Sequence, residues 1–179
     1  MQKMRIIPPK RLAMDGLCIA LFFVLSLFSV EIGGVKLTFD ALAVVIAAAL
    51  FGPADAFLVG LLGAMLEQLV SYGLTVTTVL WILPPACRGL VIGLGLKKLP
   101  NARKHWRYLC LCIFAALVTS TLNTLVYYVD AKLMGYYHYA LIFGAFFVRL
   151  ATGVATGVIT AEVALPILAA LRKSGGKAQ

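Results

Sequence analysis

The chain has 179 residues, 62% of them hydrophobic and 13% charged, with a formal net charge of +9 and a mean hydropathy of +0.98. A water-soluble domain of this size has too little interior for so much apolar surface, which excludes an ordinary globular enzyme and points to lipid as the solvent. The basic residues lie between the apolar runs instead of gathering on one face, so membrane topology accounts for them and no nucleic-acid partner is indicated.

About 20 apolar residues cross a hydrocarbon core roughly 30 Å thick. On that scale the sequence predicts an all-α integral membrane protein, one transmembrane domain of six spans, at residues 13–30, 37–51, 54–71, 75–96, 107–129 and 141–168. The first run is kept as a true span and not as a cleavable signal. The second is short and stops at Gly52-Pro53. The third opens with Pro53 suited to a first helical turn and Asp55 to the positive end of the helix dipole. Pro84-Pro85 predicts a kink or a late helix start in the fourth, and Pro166 lies near the end of the sixth.

Lys3, Arg5, Lys10 and Arg11 precede the first span. Lys97, Lys98, Arg103, Lys104 and Arg107 lie between the fourth and fifth, and Arg172, Lys173 and Lys177 follow the sixth. Only Lys36 and Lys132 fall on the opposite side, so the positive-inside rule predicts two cytoplasmic termini. Small residues recur at four-residue spacing in Gly16/Ala20, Gly60/Ala64, Gly89/Gly93 and Gly153/Gly157, a pattern that lets helix backbones approach closely in lipid. Most such pairs are expected to pack the bundle, and one on a lipid-facing flank of the first span suits a second membrane protein. Cys18, Cys87, Cys110 and Cys112 read as small buried hydrophobes, and no metal or cofactor is expected.

Charges inside spans need a partner or a cavity. Glu67, Arg88, Arg149 and Glu162 are the charges in question, and Glu162, near the cytoplasmic end, reads as structural. The other three, with Trp81, Asn123, Tyr127 and Tyr128, fall at one level near the exterior. They predict an outward pocket with aromatic walls and one or two fixed cations for an anionic substrate. The competing reading is an ion pair of Glu67 with Arg149 or Arg88 that holds the bundle together. His138 is a minor candidate for ligand contact. No HExxH, GxSxG, aspartate pair or P-loop is present, so a small intramembrane enzyme built on Glu67, Arg88 and Asn123 ranks below a binding subunit that borrows its motor. A purely structural membrane protein is the remaining alternative.

The stretch from Gly16 to Leu69, with Gly16-x3-Ala20, then "LTF", "LFGP" and a glycine-spaced third span, resembles the substrate-binding S components of energy-coupling factor (ECF) vitamin transporters. "LNTL" at Leu122 to Leu125 and the "VRL…LPIL" pattern from Val148 to Leu168 are similar to the final spans of the folate-type branch. Thr38-Phe39-Asp40 is similar to the pantothenate type. The resemblance implies capture of a small anionic vitamin from outside, folate-like first and pantothenate next. It also implies delivery with a membrane scaffold protein and two cytoplasmic ATPases as the S component topples in the membrane. Gly16 and Ala20 would dock on the scaffold, although family members usually carry alanine at the first position, and residues 32–39 would help cover the pocket.

Overall fold

The structure, a computed structural model, describes residues 9–32, 35–98 and 105–175. Of the cations used to read topology, Lys3, Arg5, Arg103, Lys104 and Lys177 lie outside these residues. In chain order the elements are α1 (Pro9–Leu27), β1 (Ser29–Ile32), β2 (Val35–Thr38), α2 (Ala41–Leu50), α3 (Pro53–Ser71), α4 (Thr78–Lys98), α5 (His105–Met134), α6 (Tyr139–Phe143) and α7 (Phe146–Gly175). The two strands form an antiparallel hairpin that pairs Ser29 with Thr38 and Glu31 with Lys36. The rest is helical.

Four helices, α3, α4, α5 and α7, are long and apolar enough to cross a bilayer. Two of the six expected spans are not among these four. α1 has the length, but Lys10, Arg11 and Asp15 fall in its first two turns. The second predicted span is divided: residues 37–38 belong to the hairpin, and α2 keeps 10 residues, about 15 Å of helix and too short to cross alone. α2 is instead the centre of the bundle. Ala43, Val44 and Ala47 are wholly buried, and it packs on α1, α3, α4 and α7. A helix that is apolar all round fits such a position.

Local chemistry sets the boundaries. Gly52 takes φ +104° between α2 and α3, a conformation open to glycine and strained for other residues, and Pro53 then starts α3. At the head of α4 the Thr75 N–H donates to the Thr78 hydroxyl at 2.9 Å and the Thr78 N–H to the Thr75 carbonyl at 3.1 Å. α4 therefore already runs at Thr78, ahead of Pro84 and Pro85, which lie inside it. The sixth predicted span is broken at residues 144–145, with the short α6 before the turn and α7 after it.

Glycine decides how closely the helices meet. A Cβ on Gly89 would lie 2.3 Å from the Ala56 carbonyl oxygen, one on Gly93 2.4 Å from the Pro53 Cα, and one on Gly60 2.5 Å from the Pro85 carbonyl oxygen. The α3–α4 seam is thus backbone against backbone. Gly63 similarly receives the fully buried Phe22 of α1. Gly16 differs from all of these: a Cβ there meets nothing within 4 Å, and Gly16 and Ala20 are exposed. Leu58, Leu62 and Leu66 of α3, Phe114 and Leu125 of α5 and Val163 of α7 are also exposed. In water this belt would be an aggregation surface, and in a bilayer it is the lipid-facing side.

Candidate functional site

A cavity opens near the hairpin end of the bundle, where α4, α5 and α7 diverge. It has two lobes, of about 290 Å³ and about 500 Å³, that share Thr38, Trp81, Arg88, Asn123 and Tyr127 as walls. Volumes of this order suit a small organic ligand. The smaller lobe lies between α4, α5 and α7 and adds Ser120, Arg149, Thr152 and Thr156. The larger lies toward α3 and residues 72–77 and adds Asp40, Glu67, Gln68, Asp130 and Tyr136.

Helix periodicity explains the membership. Ala116, Ser120, Asn123, Tyr127 and Asp130 recur at three- and four-residue steps along α5, as do Trp81, Pro85 and Arg88 on α4 and Arg149, Thr152 and Thr156 on α7. Each set is one face of its helix. Tyr128 is one residue, and so about 100°, off that face and lines neither lobe. Its ring stands edge-on to Tyr137 at 5.6 Å and under the Lys132 ammonium at 4.7 Å. His138 is exposed and also lines neither lobe.

Arg88 is the junction of the site. Its Nε donates to the Thr119 hydroxyl at 3.2 Å, which donates onward to the Ala115 carbonyl at 2.8 Å. Its Nη1 is buried without a hydrogen-bond partner and lies 3.7 Å from the Asp40 carboxylate, an ion-pair distance too long for a hydrogen bond. Asp40 precedes the first turn of α2 but makes no side-chain cap to it. The Thr38 hydroxyl donates to it instead, so this carboxylate ties the hairpin to α4. An ion pair therefore holds Arg88 in part, with Asp40 as its described partner.

Arg149 is held differently. Its guanidinium lies 4.7 Å from the Tyr127 ring centre and donates weakly to the Ile142 carbonyl at 3.4 Å. Tyr127 is the hub of an aromatic wall, with Trp81 at 6.3 Å on one side and Tyr136 at 6.2 Å on the other, and the cation stacks on its face. The Tyr136 hydroxyl donates to Asp130. Desolvation, ahead of that hydrogen bond and the charge of Asp130, pushes the Tyr136 hydroxyl above the usual tyrosine range. It is therefore a neutral donor at physiological pH.

At the opposite end of the bundle Arg11 donates twice to Asp55, at 2.8 and 2.5 Å, and clips α1 to the start of α3. His105 and Glu162, both exposed, approach to 3.3 Å there and tie α5 to α7. Among the described residues no cluster of three or more histidine, cysteine or carboxylate side chains is placed to hold a metal.

The family model of the ECF-type riboflavin transporter S component matches residues 7–173. The chain belongs to this family. It is thus a substrate-binding, non-enzymatic membrane subunit of an ECF importer, and the branch matched is the riboflavin one, not the expected folate or pantothenate type. The solved structure of the S component of a bacterial ECF transporter superposes with a TM-score of 0.62 at 21% identity, over 94% of this chain and 96% of that one. At that identity the likeness speaks for the fold. No curated protein matches the sequence.

Of the residues singled out from sequence, Trp81, Arg88, Asn123, Tyr127 and Arg149 meet in the smaller lobe and Glu67 in the larger, while Tyr128 stands apart. Asp40, Ser120, Asp130, Thr152 and Thr156 were missed. The threonine pair at i, i+4 and the polar stripe along α5 were the available signals.

Proposed function

We propose that this S component captures a flavin-class vitamin from the exterior and passes it to an ECF scaffold protein driven by two cytoplasmic ATPases. The observation that carries the reading is the walled cavity. Trp81 and Tyr127 offer aromatic faces to a flat heterocycle, and Arg88, Asn123 and Arg149 offer donors to its carbonyls. The matched riboflavin family supports the flavin choice. A carboxylate-bearing vitamin, folate-like or pantothenate, is the second reading, favoured by Arg149, whose described partners are an aromatic face and one carbonyl.

The orientation follows from charge. Arg11, Lys97, Lys98 and Arg107 gather at the end away from the cavity and Lys132 at the cavity end, which argues for cytoplasmic termini and an outward cavity. α1 and the hairpin with α2 then complete six passes. Gly16 and Ala20, exposed on α1, are the docking face for the scaffold. Gly16→Leu is expected to leave ligand affinity unchanged and to cut uptake and complex formation. Unchanged uptake would remove that assignment.

The test of the ligand is a thermal-shift titration in detergent with riboflavin, folate and pantothenate, together with mass spectrometry of co-purifying molecules. Riboflavin at 100 times its Kd is expected to stabilise the fold by about 2.7 kcal/mol. Stabilisation by another vitamin and not by riboflavin rejects the flavin.

A further inference from the structure

The two lobes of the cavity have opposite electrostatic character. The lobe between α4, α5 and α7 has the guanidinium groups of Arg88 and Arg149 on its walls and, among the described residues, no carboxylate. The lobe toward α3 has Asp40, Glu67 and Asp130, with Arg88 as its cation. Trp81 and Tyr127 belong to both and stand at the waist.

Hydrogen-bonding capacity divides the same way. On the arginine side Arg149, whose described contacts are the Tyr127 ring face and the Ile142 carbonyl at 3.4 Å, has five N–H donors and keeps several for a ligand oxygen. On the other side Asp130 receives the Tyr136 hydroxyl and Asp40 the Thr38 hydroxyl. A carboxylate has about four acceptor sites, so both keep lone pairs for ligand donors.

We propose that the lobes sort the two ends of the ligand. A flat ring sits at Trp81 and Tyr127, its carbonyl- or carboxylate-bearing end meets Arg88 and Arg149, and a hydroxyl-bearing end without negative charge enters among Asp40, Glu67 and Asp130. This rests on the substrate-binding reading above and adds a direction and a selectivity rule. For a flavin, the pyrimidinedione carbonyls face the arginines and the ribityl hydroxyls face the carboxylates. A phosphate at the end of the ribityl chain, with a charge of about −1.5 to −2 at pH 7, then meets three carboxylates and is rejected by like-charge repulsion. The site selects the free vitamin over its phosphate ester.

The experiment is a titration of the purified full chain in detergent with riboflavin and riboflavin 5′-phosphate, at low and high salt. The phosphate ester is expected to bind about 100-fold more weakly, with a gap that narrows as salt screens the charges. Asp130→Asn and Glu67→Gln are expected to narrow the gap, and Arg149→Gln to weaken both flavins to a similar degree. Equal or tighter binding of the ester to the unaltered protein overturns the lobe assignment while leaving the flavin reading intact, and that comparison requires no variant to fold. If neither flavin binds, the flavin reading fails and pantothenate, with its carboxylate and hydroxyls at opposite ends, tests the lobes. Arg149→Gln should then weaken it about tenfold or more. Pantothenate binding insensitive to Arg149→Gln, or no binding of any of the three probes, overturns the proposal.

Discussion

The α3–α4 seam and the α4–α5–α7 region share a helix, and the two sides of α4 do opposite things. Toward α3, Gly89 and Gly93 bring the backbones into contact with Ala56 and Pro53. Toward α5 and α7, Arg88 stands between helices and reaches Thr119, and a cavity opens around it. In lipid no hydrophobic force separates good packing from poor, so association depends on close approach and polar contact. A glycine face closes an interface, and a face of large polar side chains holds one open. One helix supplies both a rigid wall and a binding surface.

The largest expected effect breaks the closed side. Gly89→Leu should abolish recovery of folded protein, seen as loss of the monodisperse peak in size-exclusion chromatography, and Gly89→Ala should cost about 1–3 kcal/mol of stability. Gly16→Ala, where a Cβ meets nothing, should leave the melting temperature unchanged. A similar loss at both positions would mean that backbone contact is not what distinguishes them.

Next comes the open side. Arg149→Ala should abolish ligand binding in titrations while expression and melting temperature without ligand stay near those of the unaltered protein. Loss of the folded protein instead would make this arginine structural glue. Arg11→Ala sharpens the contrast from the far end of the bundle. It strands the buried Asp55 carboxylate and should lower stability by about 2 kcal/mol, a value reduced for the exposure of Arg11. It should leave the ligand Kd unchanged. The smallest effect is expected for Tyr128→Phe, which keeps the ring contacts with Tyr137 and Phe143. Ligand affinity should move by less than about twofold, and a larger loss would return Tyr128 to the binding surface.

Much of the helical frame was readable as runs of apolar residues, because each long helix must match the thickness of the same lipid core. α3 was placed almost to the residue. The second predicted span was drawn too long, since the apolar residues of the hairpin and of α2 follow one another closely and hydropathy does not mark where strand gives way to helix. The hairpin was overlooked although Val30, Ile32, Val35 and Leu37 alternate around Gly33-Gly34, a hairpin signal. Within the site, the intramembrane charges and aromatics drew notice because lipid makes them expensive. Asp40 was noted only within the Thr38-Phe39-Asp40 resemblance, because its partner Arg88 is distant along the chain and sequence order does not bring the two together.

The sequence by itself determined that the chain lives in a membrane, which end faces the cation-rich side, and which polar residues need shelter from lipid. Those properties are sums over residues and depend only on composition and order. Tertiary structure alone decided that Arg88 pairs with Asp40, that Arg149 stacks on Tyr127 while Tyr128 turns away, and that the cavity has a cationic and an anionic lobe. These are relations between helices distant in sequence, set by which faces the glycine seams bring together and which they leave apart.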